Sequence, residues 1–169
     1  MRRPNFKYPS ALLGTAAIVL APSFAIAGHT NTVLTTTLDG REEVATGASN
    51  RGIVGDPNGR GEVYVFGVDG DPTTLCYVLL VSKIEPATAA HIHEAERGAN
   101  GPVVVNLAAP ADGNAADCLT EGEILPNGNP AFPTGVTVAE ILEFPEDYYV
   151  NVHNGRYPGG AIRGQLDFQ

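Results

Sequence analysis

From residue 33 onward the apolar positions fall mostly on a two-residue period, the spacing of a half-buried β-strand. Short runs of this kind recur, each closed by Gly, Pro, Asn or Asp. Residues 33–38 are Thr-rich and extended, and they stop at Asp39-Gly40. Residues 46–60, with Gly47, Gly52, Gly55, Pro57 and Gly59, read as a long polar loop. Residues 62–68 alternate, and Asp69-Gly70 joins them as a hairpin to the nearly continuous apolar run 75–84. Residues 88–94 and 103–107 are two further strands on either side of Asn100-Gly101-Pro102. Between residue 108 and about residue 133 the chain is rich in Ala, Gly, Asn and Pro, which predicts a loop. Thr137-Val138-Ala139-Glu140 has capping-box spacing and predicts one short helix that ends before Pro145. Residues 148–153 and 161–168 are the last strands, joined through Asn154-Gly155 and Pro158-Gly159-Gly160. Many short strands and one short helix predict an all-β chain, an antiparallel sandwich or barrel.

The first 27 residues break this pattern. Arg2, Arg3 and Lys7 precede an apolar stretch over 11–20, and Ala25-Ile26-Ala27 follows as a small-x-small cleavage signal. That order is the order of a secretory signal peptide. Pro22 interrupts the apolar run, which is short for a bilayer span; a retained anchor is the alternative. Cleavage after Ala27 would leave residues 28–169 as one domain, exported to the periplasm or secreted. This part keeps 7 basic side chains against all 19 acidic ones, a formal charge of −12. Such a surface repels nucleic acid and anionic lipid, so neither nucleic acid nor membrane is an expected partner once the leader is removed.

Cys76 and Cys118 are the only cysteines. An even count in an exported chain points to a disulfide between them, worth about 4 kcal/mol in the chain-entropy description; two unpaired buried thiols are the alternative.

The chemistry concentrates in the histidines, of which there are 4: His29, His91, His93 and His153. Residues two apart on a strand share a face, so His91 and His93 point one way while Ile92 points to the core. With Val150 and Val152 inward, Asn151 and His153 share the opposite face of their strand. Two neighbouring strands would then gather three imidazoles on one surface. Three neutral imidazoles suit copper or zinc, and less often iron or nickel. The bland alternative is that His91 and His93 only hydrogen-bond nearby carboxylates or carbonyls. His29 would follow the new amino terminus, where an amine and a histidine can chelate Cu(II); a disordered chain end is the ordinary reading. No serine stands in a nucleophile elbow, and Asp56-Pro57-Asn58-Gly59 and Asp69-Gly70-Asp71 lack the spacing of a calcium loop.

Several segments carry a family resemblance. Ala-Thr-Ala-Ala-His-Ile-His-Glu at 87–94 and Gly-Pro-Val-Val-Val at 101–105 resemble the centre of a CHRD (chordin-type) domain. Tyr-Tyr-Val-Asn-Val-His at 148–153, Pro-Gly-Gly-Ala-Ile-Arg-Gly-Gln-Leu at 158–166 and the opening Leu38-Asp39-Gly40-Arg41-Glu42-Glu43-Val44 complete the likeness. The resemblance implies an immunoglobulin-like antiparallel β-sandwich. A second likeness is local: His91-x-His93-Glu94 is similar to the copper-binding motif of copper/zinc superoxide dismutases, a family in which a later strand histidine and a carboxy-terminal arginine complete the site. It implies His91, His93 and His153 as copper ligands and Arg163 as the guide for superoxide. Glu94 is a candidate acceptor that orients an imidazole. No histidine lies between His93 and His153, so the bridging and zinc-site histidines of that family are absent. The expectations are a copper protein with superoxide dismutase-like activity, a non-catalytic copper buffer or carrier, or a metal-free protein-interaction module.

Overall fold

The computed structural model describes residues 32–47 and 52–169. The leader and His29 lie outside the described residues. Nine strands form one antiparallel sheet: β1 (Val33–Asp39), β2 (Arg60–Val68), β3 (Asp71–Ser82), β4 (Ala87–Glu94), β5 (Val103–Leu107), β6 (Asn114–Thr120), β7 (Tyr148–Asn154), β8 (Ile162–Gln165) and β9 (Asp167–Phe168). Their spatial order is β5-β4-β7-β8-β1-β2-β3-β6, with β9 also on β1. The sheet curls until it is nearly closed. Only the Asp39↔Arg163 pair joins β8 to β1, so the sheet reads as two four-stranded halves hinged there.

Both halves send their inward residues into one core. Leu34, Val63, Val65, Leu75, Tyr77 and Leu79 come from one half, and Ala90, Ile92, Val105, Val150, Val152 and Ile162 from the other. The Tyr77 hydroxyl accepts a hydrogen bond from the Ala108 N–H at 2.7 Å, which ties the halves polar group to polar group. The β2–β3 hairpin turns at Asp69-Gly70, where Gly70 has φ +80°, a backbone state that favours glycine. Among the described residues the single α-helix, α1 (Val138–Glu143), starts at Thr137 with the full capping box to Glu140 and buries Val138, Ile141 and Leu142 against the core.

The expected loop from 108 to 133 is only partly a loop. Residues 114–120 form β6, paired along its length with β3. The reason for the miss is chemical: Asn-Ala-Ala-Asp-Cys-Leu-Thr carries one strongly apolar residue, Leu119, because this is an exposed edge strand. Cys76 and Cys118 sit directly opposite each other across this pair and are disulfide-bonded. The expected last strand, 161–168, divides into β8 and β9, which leave Leu166 buried between them.

The cross-link closes a long loop of chain, so most of its effect falls on the unfolded state. A Cys76→Ser, Cys118→Ser double variant should lose about 2–5 kcal/mol in urea unfolding. An unchanged midpoint and slope would show that the edge strand holds without it.

Candidate metal centre

The strand ladder between β4 and β7 places the candidate residues. Its register sets Ala89 opposite His153, His91 opposite Asn151 and His93 opposite Tyr149. His91, His93, Tyr149, Asn151 and His153 therefore share the outer face, while Ile92, Val150 and Val152 are fully buried on the inner one. His91 and His153 are diagonal neighbours across the pair, within reach of long side chains. One ligand-capable nitrogen from each of His91, His93 and His153 lies within 4.8 Å of the other two.

Hydrogen bonds to the backbone choose which nitrogen each ring presents. His93 Nδ1 donates to the Gly101 carbonyl at 3.0 Å and His153 Nδ1 donates to the Pro158 carbonyl at 3.1 Å. Each ring therefore keeps Nε2 as a free lone pair. His153 Nε2 lies 3.2 Å from His91 Nδ1, which in the metal-free protein must supply the proton of that contact. His93 Nε2 is buried with no hydrogen-bond partner. An orphaned buried nitrogen grouped with two other imidazole nitrogens fits a metal ligand set, and all three donors suit a borderline metal. Bonds near 2 Å require ligand atoms about 3–4 Å apart, a small contraction from this arrangement.

Burial keeps the rings neutral and ready to ligate. It lowers His91 to about 4, with the charges of His153 and His93 acting in the same direction. His93 and His153 are also lowered by burial, opposed by their bonds to Gly101 and Pro158, and the Arg163 charge adds to the lowering at His93. On its other flank His91 borders a cleft of about 540 Å³, with Asn106, Asp117 and Leu119 among its walls, which leaves a route for small molecules toward the ring.

Gly101 deserves its glycine. Its carbonyl receives His93 Nδ1–H, its N–H donates to the Tyr149 hydroxyl at 3.2 Å, and a Cβ there would lie 1.7 Å from the Glu94 carbonyl. One residue thus holds both His93 and the ring beneath it. Tyr149 stacks on His93 with centroids 4.8 Å apart and planes 6° from parallel.

The remaining expected site residues stand outside this shell. Glu94 is exposed beside Tyr148, and the N–H groups of His93 and His153 go to backbone carbonyls instead. Arg163 is 2% exposed. Its guanidinium lies 3.3 Å above the Tyr149 ring and donates to the Ala99 carbonyl at 2.7 Å and to Asn100 Oδ1 at 3.2 Å. Because β7 lies between β4 and β8, the tyrosine ring stands between Arg163 and His93.

Strand alternation did not reveal Glu43. It is buried in the segment after β1, where Asn151 Nδ2 donates to its Oε2 at 3.3 Å. Gly160, with φ +136°, clears the space for its carboxylate: a Cβ there would meet both oxygens at 2.3–2.5 Å. Burial raises Glu43 to about 8, opposed by the Arg163 charge and the Asn151 bond. Protonated, it offers the donor that the partnerless Asn151 Oδ1 beside it lacks.

An all-β scaffold with a disulfide and a three-histidine cluster able to hold a metal is the class that fold and site define. The family model of the CHRD domain matches residues 34–166, and the chain belongs to that family. No curated protein matches it.

The raised Glu43 and the lowered histidines act on stability with opposite signs. A folded group that holds its proton to about pH 8, against about 4.5 unfolded, loses its stabilising effect as pH rises through that window. The histidines oppose this only below about pH 6.5, where the unfolded chain takes up their protons. Between pH 6.5 and 8 stability should therefore fall with pH, and Glu43→Gln should flatten the fall. Parallel pH curves for the two proteins would refute the buried acid.

Proposed function

We propose that this protein is an exported copper-binding protein in which His91, His93 and His153 hold one copper ion. The observation that carries the reading is the convergence of three imidazole nitrogens, one of them buried and unpartnered, with tautomers already set by Gly101 and Pro158. Copper is favoured over zinc because the donors are all neutral imidazoles, with neither thiolate nor carboxylate, and because Cu(II) stands above Zn(II) in affinity for such a set. A bound copper ion with an open position would supply one-electron exchange with small oxygen species. His91 Nδ1 donates toward His153 Nε2, so a metal held through that atom would require the His91 proton to sit on Nε2.

The sharper form of the reading is superoxide dismutase-like activity with Arg163 drawing in the anion. Against it stands the burial of Arg163, whose donors are spent on Ala99 and Asn100 and whose charge lies behind Tyr149. This favours the second reading, a copper buffer or carrier without fast turnover. The disulfide and the leader-like segment over 1–27 support export to the periplasm or beyond; among the described residues no helix is long and apolar enough to cross a membrane.

Titration should show one equivalent of copper, an EPR spectrum with nitrogen ligands and a loss of at least tenfold in affinity for His91→Ala. Unchanged affinity in that variant would sink the site, and loss of all copper on dialysis would favour the metal-free interaction module. Superoxide removal by the loaded protein should not exceed that of the same amount of free copper; a faster rate would restore the catalytic form. Export is checked separately, by mass spectrometry of the protein from the cell exterior or periplasm, which should begin at Gly28.

A further inference from the structure

The Arg163 side chain presents a problem in energetics. It is among the largest fully buried side chains of the protein, yet among the described residues no carboxylate lies within ion-pair distance of it. Its hydrogen-bond partners are two neutral oxygens, Ala99 O and Asn100 Oδ1. A buried charge without an opposite charge is costly and persists only where something compensates it. Here the nearest compensating partner is the π face of Tyr149, 3.3 Å below the guanidinium carbon, while Glu43 and Glu42 act on the charge from beyond ion-pair distance. The tyrosine is itself 1% exposed and is fixed at its hydroxyl by the Gly101 N–H. On the β4 side the same ring stacks in parallel on His93.

From this continuous stack of guanidinium, phenol ring and imidazole we infer that Arg163 and Tyr149 are positioning residues that set the redox balance of the metal held by His93, shifting it toward the reduced ion. The inference rests on the copper reading above and gives Arg163 a different task from drawing in an anion. Two physical effects act together. A fixed positive charge close to a metal disfavours the more highly charged Cu(II) relative to Cu(I), and in a dry, low-dielectric layer that preference is larger than at a surface. The stacked ring holds the plane of the His93 imidazole and excludes water from its face, so the charge acts through a medium that cannot reorient to screen it. Tyr149 and Arg163 are consecutive outward layers on neighbouring strands, so the register that brings the histidines together also builds the stack.

The test is the Cu(II)/Cu(I) midpoint potential of the loaded protein, measured for the wild type, Arg163→Met, Arg163→Lys, Tyr149→Phe and Tyr149→Leu. EPR on each variant shows whether copper is still held by nitrogen. Removing the charge in Arg163→Met should lower the ratio of Cu(I) to Cu(II) affinity about tenfold, a fall of about 59 mV for a one-electron couple. Arg163→Lys should recover part of the shift and Tyr149→Phe should keep the wild-type potential, because the first retains charge and the second retains the ring. Tyr149→Leu should lower the potential and, in the metal-free protein, alter the nitrogen NMR shifts of His93 that report its Nδ1–H tautomer. A potential unchanged in Arg163→Met while three nitrogen ligands persist overturns the inference and leaves the copper site standing. A wild type that takes up no copper overturns both. Should Arg163→Met fail to fold, an unchanged potential in Tyr149→Leu overturns the inference in its place.

Discussion

The antiparallel ladder between β4 and β7 is the constraint on which the rest depends. Side chains alternate strictly along a strand, so a slip of one residue would turn His91 and His93 inward and Ile92 out to solvent. Ile92, Val150 and Val152 are fully buried, and the apolar surface they remove from water resists that slip at about 25 cal/mol per Å². The hydrophobic core thus specifies the geometry of a polar site that it never touches. Imidazoles, the tyrosine beneath them and the Asn151–Glu43 contact all occupy the outer face because the valines and isoleucine occupy the inner one.

That outer face is covered rather than bare. Every residue of β7 except His153 is buried, so both its faces are packed. The segment 40–46 and the 95–101 turn close over it: Asn100 donates to the Val44 and Ala45 carbonyls, Arg97 pairs with Glu42, and Gln165 donates to the Ala95 and Glu146 carbonyls. This cover dehydrates the histidines and Glu43, and it moves their proton affinities in the directions that favour neutral forms. The same cover supplies the Gly101 carbonyl that chooses the His93 tautomer, a role that a side-chain acceptor such as Glu94 would fill less rigidly.

Much of this was legible in the residue pattern. The apolar pattern located seven strand regions, the last of which divides into β8 and β9, because their inner faces carry apolar residues that only a core explains. It also placed His91, His93, Asn151 and His153 on one face. β6 was illegible because an edge strand has no buried face to imprint on its sequence beyond Leu119 and the bonded Cys118. Tyr149 could have been read from parity, two residues before Asn151 on the same face. The Gly101 clamp, the Glu43 burial and the withdrawn position of Arg163 could not, because each is decided by loops folding over the sheet, where alternation carries no information.

β6 also governs how the molecule meets its neighbours. The sheet does not close, so among the described residues β6 keeps one row of backbone donors and acceptors with no strand beyond it. Such a rim is a template on which another chain could polymerise. Here the template is poor in β-forming side chains and is bolted to β3 through Cys76 and Cys118. The covalent bolt adds an oxidation-dependent tie to the rim: where thiols are reduced, β6 is held to β3 by its backbone ladder and Leu119 alone, and it is this rim that shields the apolar strand behind it from neighbouring chains.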